Sequence, residues 1–200
     1  MTRYVRRFSR TERTLHWVNA AGFLTLLATG LILYLPSLSI LVGRRPLVKD
    51  IHFWSGVGWI AALVLVALAG DRRGLLRTAR ELDAFEADDV LWLRRLPVRQ
   101  GRFNAGQKVN ASLTAALTAL FLLSGLLLFF GERDTRFRFA STVVLHDGLT
   151  LVATALLVGH LYLAVIHPAT RHALRGMTLG TVSEDWARAH HAKWSPPPAE

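Results

Sequence analysis

Four histidines lie within or at the edge of long apolar runs of this 200-residue chain: His16, His52, His146 and His160. An imidazole in hydrocarbon is costly and normally serves a site, and the neutral ring is a common metal ligand. His146 and His160 are fourteen residues apart, nearly four helical turns, so on a helix they share one face about 21 Å apart along the axis. That distance excludes a single metal and suits two stacked sites. Depth selects the partners: His52 falls at the level of His146, and His16 at the level of His160. Two bis-histidine sites in apolar surroundings fit haem b iron, whose macrocycle takes hydrocarbon on its faces and one nitrogen on each side. Iron closed in this way favours electron transfer over ligand chemistry. The remaining histidines, His167, His172, His190 and His191, are assigned to the aqueous boundary, and His190-His191 has no evident third ligand.

Such ligands need membrane-spanning helices to hold them, and the composition supplies these. Hydrophobic residues make up 52% of the chain and gather into blocks, while most of the 24 Lys and Arg lie between the blocks. The spans are expected at Leu15 to Leu35, His52 to Ala69, Ala111 to Phe130 and Val143 to Ile166, each near the ~20 residues a bilayer core requires. Ser9 and Glu12 have the spacing of a capping box before the first span, and that span runs too far past a signal h-region to be read as a cleaved leader. The expected fold is therefore an all-α, integral membrane four-helix bundle holding two haems b. Eighteen of the 24 basic residues fall in the N-terminal segment, the loop between the second and third spans, and the C-terminal tail, so both termini are expected in the cytoplasm.

The expected organisation is a basic N-terminus over residues 1–14, a membrane domain over 15–170 with a cytoplasmic loop at 71–108, and a cytoplasmic tail over 171–200. Glu81–Phe85 and Val90–Leu93 suggest a short interfacial amphipathic helix in that loop, and the proline-rich Ser195–Glu200 an extended end. Gly22, Gly30, Gly56, Gly58, Gly125 and Gly148 offer places where helices or macrocycles could approach closely. Without cysteine the chain cannot hold an iron–sulfur cluster or a c-type haem, and its net charge of +10 comes without a basic recognition helix, which argues against nucleic acid. Asn104, Gly106 and Gln107 precede the third span at the water boundary. Their amides either cap that helix or donate hydrogen bonds to the carbonyls of a quinone headgroup, with Gly106 admitting a close backbone approach.

Several segments carry a resemblance: Leu15-His16-Trp17, Ile51-His52-Phe53-Trp54-Ser55-Gly56, Phe103-Asn104-Ala105-Gly106-Gln107-Lys108, Leu145-His146, His160-Leu161-Tyr162, and the tail from Val182 to Trp194. Over nearly its whole length the chain resembles the γ, or cytochrome b556, subunits of membrane-bound respiratory formate dehydrogenases, within the wider di-haem b cytochrome superfamily. The resemblance implies haem iron ligation by His16 and His160 on the inner side and by His52 and His146 on the outer side. It also implies a quinone, menaquinone or ubiquinone, at Asn104, Gly106, Gln107 and His160, with Lys108 aiding proton uptake. The implied partners are an iron–sulfur β subunit, a molybdenum- or tungsten-containing catalytic α subunit that oxidises formate, membrane lipid, and further copies in a higher oligomer. The implied location is the bacterial inner membrane, where this subunit would reduce quinone. The nearest rival readings are an equivalent cytochrome b of a hydrogenase, thiosulfate reductase or another dehydrogenase; a rival of a different class is a haem-free anchor or metal permease.

Overall fold

In the computed structural model, residues 2–195 are described, and four of their helices are long and apolar enough to cross a membrane: α1 (Arg10–Tyr34), α3 (Arg45–Ala69), α6 (Ala105–Gly131) and α7 (Ala140–Leu161, continued as a π-helical turn over Tyr162–Ile166). Short helices lie between and after them: α2 (Pro36–Val42), α4 (Arg72–Asp83), α5 (Ala87–Leu93), α8 (Leu174–Leu179) and α9 (Glu184–His190). The long helices begin before their apolar runs. α3 starts at Arg45, seven residues ahead of His52, because Arg45 and Pro46 fit a first helical turn at the interface although an arginine would not fit hydrocarbon. Large apolar side chains face outward along them, Leu65, Leu151 and Val158 each more than 60% exposed, as helices surrounded by lipid require.

The chain divides into two compact units. One comprises residues 14–70 and 118–151. Within it, α1 and α3 meet where Gly22 accepts the Trp59 indole so closely that any Cβ would collide with the ring. Phe53 stacks on Phe129 at 3.7 Å, and Lys49 pairs with Glu132 at 2.8 Å. Of the other glycines, a Cβ at Gly56 would lie 3.7 Å from Leu26, an ordinary contact, and one at Gly58 or Gly148 would meet nothing within 4 Å, so close helix approach does not require glycine at these three.

The other unit comprises residues 1–13, 71–117 and 152–200. Strands β1 (Tyr4–Arg6) and β2 (Thr181–Ser183) pair antiparallel, Val5 opposite Val182, a short ribbon that brings the segments before α1 and after α8 side by side. Val5, Val182 and Ala187 are buried together, with Trp186 and Trp194 against them. Gly180 turns the chain into β2 at φ 86°, a conformation glycine adopts without strain, and its carbonyl receives the Arg7 and Phe8 amides. The α1 capping box forms as its spacing predicts: Ser9 N donates to Glu12 Oε2 at 2.6 Å and Glu12 N to Ser9 Oγ at 3.2 Å. The loop forms two helices rather than one, because α4 ends at Asp83, inside the Glu81–Phe85 segment, and α5 begins at Ala87. The expected extended end lies, beyond Ser195, outside the described residues.

Candidate functional site

His52 on α3 and His146 on α7 face each other with ring centres 6.3 Å apart and planes at 73°. With metal–imidazole bonds of about 2 Å and roughly 1.2 Å from nitrogen to ring centre, two imidazoles on one iron hold their ring centres about 6.4 Å apart. The pair therefore fits a bis-histidine haem iron. Gly30 and Gly125 flank the two rings: a Cβ would lie 3.4 Å from Cε1 of His52 at the first and 3.9 Å from Cε1 of His146 at the second. Phe121 presents its edge to the His146 ring at 5.3 Å. Each imidazole Nδ1 also meets a hydroxyl, Thr29 Oγ1 for His52 and Ser124 Oγ for His146, both at 2.8 Å. Sequence reasoning did not single out these two hydroxyls, since serine and threonine are common in membrane helices.

His16 lies six residues into α1, with Trp17 edge-on at 5.2 Å. His160 is the penultimate residue of the α-helical part of α7, which runs unbroken from His146, as the fourteen-residue spacing argument requires. The two belong to different compact units, so their pairing rests on depth in the sequence.

At the start of α6, Asn104 and Gln107 form a reciprocal cap: Gln107 N donates to Asn104 Oδ1 at 2.9 Å and Asn104 N to Gln107 Oε1 at 3.0 Å. This cap fixes both amide oxygens on the backbone, so the NH2 groups of both side chains remain available as donors. Capping and headgroup binding are thus compatible. Gly106 also packs closely against α5: its missing side chain makes room for the Trp92 ring, 3.2 Å from where a Cβ would lie. Lys108 is buried, with Nζ at 2.7 Å from both Asp89 Oδ2 and the Ala84 carbonyl, and over the Phe85 ring at 5.7 Å.

Behind this cap is a buried polar cluster that the sequence did not announce. Arg7 is 3% exposed; its Nη2 donates to the Arg102 carbonyl at 3.0 Å and to His191 Nε2 at 3.0 Å, and reaches Gln107 Oε1 at 3.5 Å. Burial and the neighbouring Arg102 charge push the Arg7 guanidinium down to about 9. His191, assigned from sequence to the aqueous boundary, is instead 2% exposed, its Nδ1 donating to the Gly101 carbonyl at 2.7 Å. Burial first, and then Arg7, push its imidazole down to about 3. Below its ordinary value of 6.5 the unfolded tail takes up a proton that the folded tail refuses until about pH 3. Tail docking is therefore expected to be strongest at neutral pH and to weaken as pH falls from 6.5 toward 3. Hydrogen-exchange protection of residues 184–195, corrected for intrinsic rates, should decline across that window. His191→Gln, which can donate and accept in the same places without a charge, should flatten the decline.

Four apolar helices carrying a paired-histidine site define a multi-pass membrane cytochrome b. The prokaryotic cytochrome b561 family matches residues 7–180, and the chain belongs to that family. It is 26% identical to the formate dehydrogenase cytochrome b556(fdo) subunit of Escherichia coli K12, over 94% of this chain and 90% of the relative. It is 20% identical to the nitrate-inducible cytochrome b556(Fdn) subunit of the same strain, over 92% and 86% respectively. The formate dehydrogenase cytochrome b556 subunit of Haemophilus influenzae Rd is 22% identical, over 94% and 81%.

Proposed function

We propose that this chain is the inner-membrane cytochrome b subunit of a formate dehydrogenase, reducing quinone near the cytoplasmic side with electrons received from a periplasmic iron–sulfur subunit. The observation that carries the reading is the 6.3 Å separation of the His52 and His146 rings within an apolar helical setting. When bound, two haems b would supply one-electron transfer between the outer and inner faces. His52 and His146 would hold the outer one, and His16 and His160 the inner one. The similarity to formate dehydrogenase subunits supports that partner, with catalytic molybdenum or tungsten and iron–sulfur centres on other chains, since this chain has no cysteine to hold a cluster. The paired terminal strands and the distribution of basic residues support both termini lying in the cytoplasm.

At the quinone site the chain's task is to orient the headgroup and keep its carbonyls hydrogen-bonded. The α6 cap occupies the amide oxygens of Asn104 and Gln107 and leaves their NH2 groups to donate, Gly106 would admit the headgroup to the backbone, and His160 would stand at the inner haem end of the site. Lys108 is held by Asp89, so its contribution to proton uptake would run through that ion pair. Asn104→Asp and Gln107→Glu preserve the capping acceptors and remove the NH2 donors, each replacing a neutral amide with a carboxylate. Each is expected to slow quinone reduction by about tenfold, the kinetic equivalent of one hydrogen bond of about 1.4 kcal/mol, while haem content stays unchanged. Steady-state quinone reduction by the purified complex tests this, and unchanged quinone kinetics in the double variant would remove these residues from the site. Co-purification of the tagged chain identifies the dehydrogenase, and recovery of a hydrogenase instead would contradict the partner proposed.

A further inference from the structure

The two hydroxyls beside the outer histidines share one arrangement. Thr29 Oγ1 on α1 is 2.9 Å from the Thr25 carbonyl and 3.2 Å from that of Leu26, while Ser124 Oγ on α6 is 2.7 Å from the Leu120 carbonyl and 3.3 Å from that of Phe121. Serine and threonine in helices often return their proton to the preceding turn in this way. Here each oxygen also lies 2.8 Å from an imidazole Nδ1 on another helix, His52 on α3 and His146 on α7. A hydroxyl has one proton. Spent on the backbone carbonyl, it leaves the oxygen only its lone pairs, so the imidazole must be the donor in both contacts. Both rings are then the Nδ1–H tautomer, with the Nε2 lone pair free for a metal. The opposite assignment, in which the hydroxyls donate to Nδ1, would put the proton on Nε2 and block ligation.

We propose that Thr29 and Ser124 are positioning residues of the outer haem, holding His52 and His146 in the ligating tautomer and lowering the reduction potential of the iron they bind. The inference rests on the reading of those histidines as haem ligands. A hydrogen bond accepted from Nδ1–H raises the basicity of the ligating nitrogen. A more basic ligand favours ferric over ferrous iron, and the hydroxyl dipole in an apolar span favours the more highly charged state in the same direction. Ligands on α3 and α7 and hydroxyls on α1 and α6 would commit all four spans to one centre, and small changes at either hydroxyl would adjust how readily electrons enter the chain.

The test is a spectroelectrochemical titration of the purified protein, wild type beside Ser124→Ala, Thr29→Val, the double variant and Ser124→Thr. The double variant is expected to keep both haems and to show a roughly tenfold higher ferrous-to-ferric ratio for one of them at fixed potential, an upward shift of about 59 mV. Each single variant should give part of that shift, and Ser124→Thr, which keeps the hydroxyl, should match wild type. Loss of one haem from Ser124→Ala with retention in Ser124→Thr would carry the same meaning. Unmoved potentials in all variants with both haems retained would overturn the proposal and leave the ligand reading standing. Wild-type protein that binds no haem would overturn both.

Discussion

Asp89→Ala is expected to release helix α5 from the start of α6. The Asp89 and Lys108 side chains are 4% and 10% exposed and meet at 2.7 Å, so removing the carboxylate strands an ammonium group in a buried site with one carbonyl and one ring for company. Breaking a buried pair from one side costs about 3–5 kcal/mol. The same carboxylate accepts the Glu86 amide at 2.9 Å and so closes the first turn of α5; losing that contact adds about 1 kcal/mol. Together these exceed what a seven-residue helix can regain by itself, and Trp92 should leave the face of Gly106 as α5 detaches. Hydrogen exchange over residues 87–95 should lose its protection in Asp89→Ala and in Lys108→Met. The double variant Asp89→Leu/Lys108→Met should recover most of it, because no lone charge remains. Protection unchanged in both single variants would show that the pair does not hold α5 in place.

The parts of this protein that were legible in its sequence are those with a period or a boundary. Apolar runs mark α1, α3, α6 and α7, and the Ser9–Glu12 spacing marks the first cap. His52 and His146 could be matched because the height of a residue in a membrane helix is fixed by counting from the boundary, and they do meet. The true helix ends were less legible: arginines and Pro46 belong to helical turns outside hydrocarbon, so an apolar window stops short of them. The break between α4 and α5 was hard to see because Ala84, Phe85 and Glu86 are all compatible with a helix; it is held locally by the Glu86–Asp89 cap and from a distance by the Lys108 ammonium on the Ala84 carbonyl, and the second has no local signature. The Arg7–His191 contact joins residues 184 positions apart and has no local signature at all. Nor does a three-residue ribbon such as β1–β2, whose strands are too short to show alternation.

His146→Ala should produce the largest functional loss. The His146 and His52 rings stand 6.3 Å apart, and on the proposed ligation removing His146 would leave the outer iron with one protein nitrogen in place of two. Alanine brings no ligand, and the neighbouring Ser124 and Phe121 side chains offer nothing that replaces an imidazole nitrogen. On the proposed ligation the outer haem would be lost and the inner one retained, because the fourteen-residue separation puts His160 about 21 Å from His146 along α7. If the proposed route from a periplasmic partner through the outer haem to quinone holds, quinone reduction by the purified complex should then fall to background. The central claim, two histidine-ligated haems on one four-span chain, is tested most directly by a pyridine haemochrome assay against protein concentration. Two haems b per wild-type chain and one per His146→Ala chain are expected; a wild-type value of one or none, or an undiminished value in the variant, would contradict it.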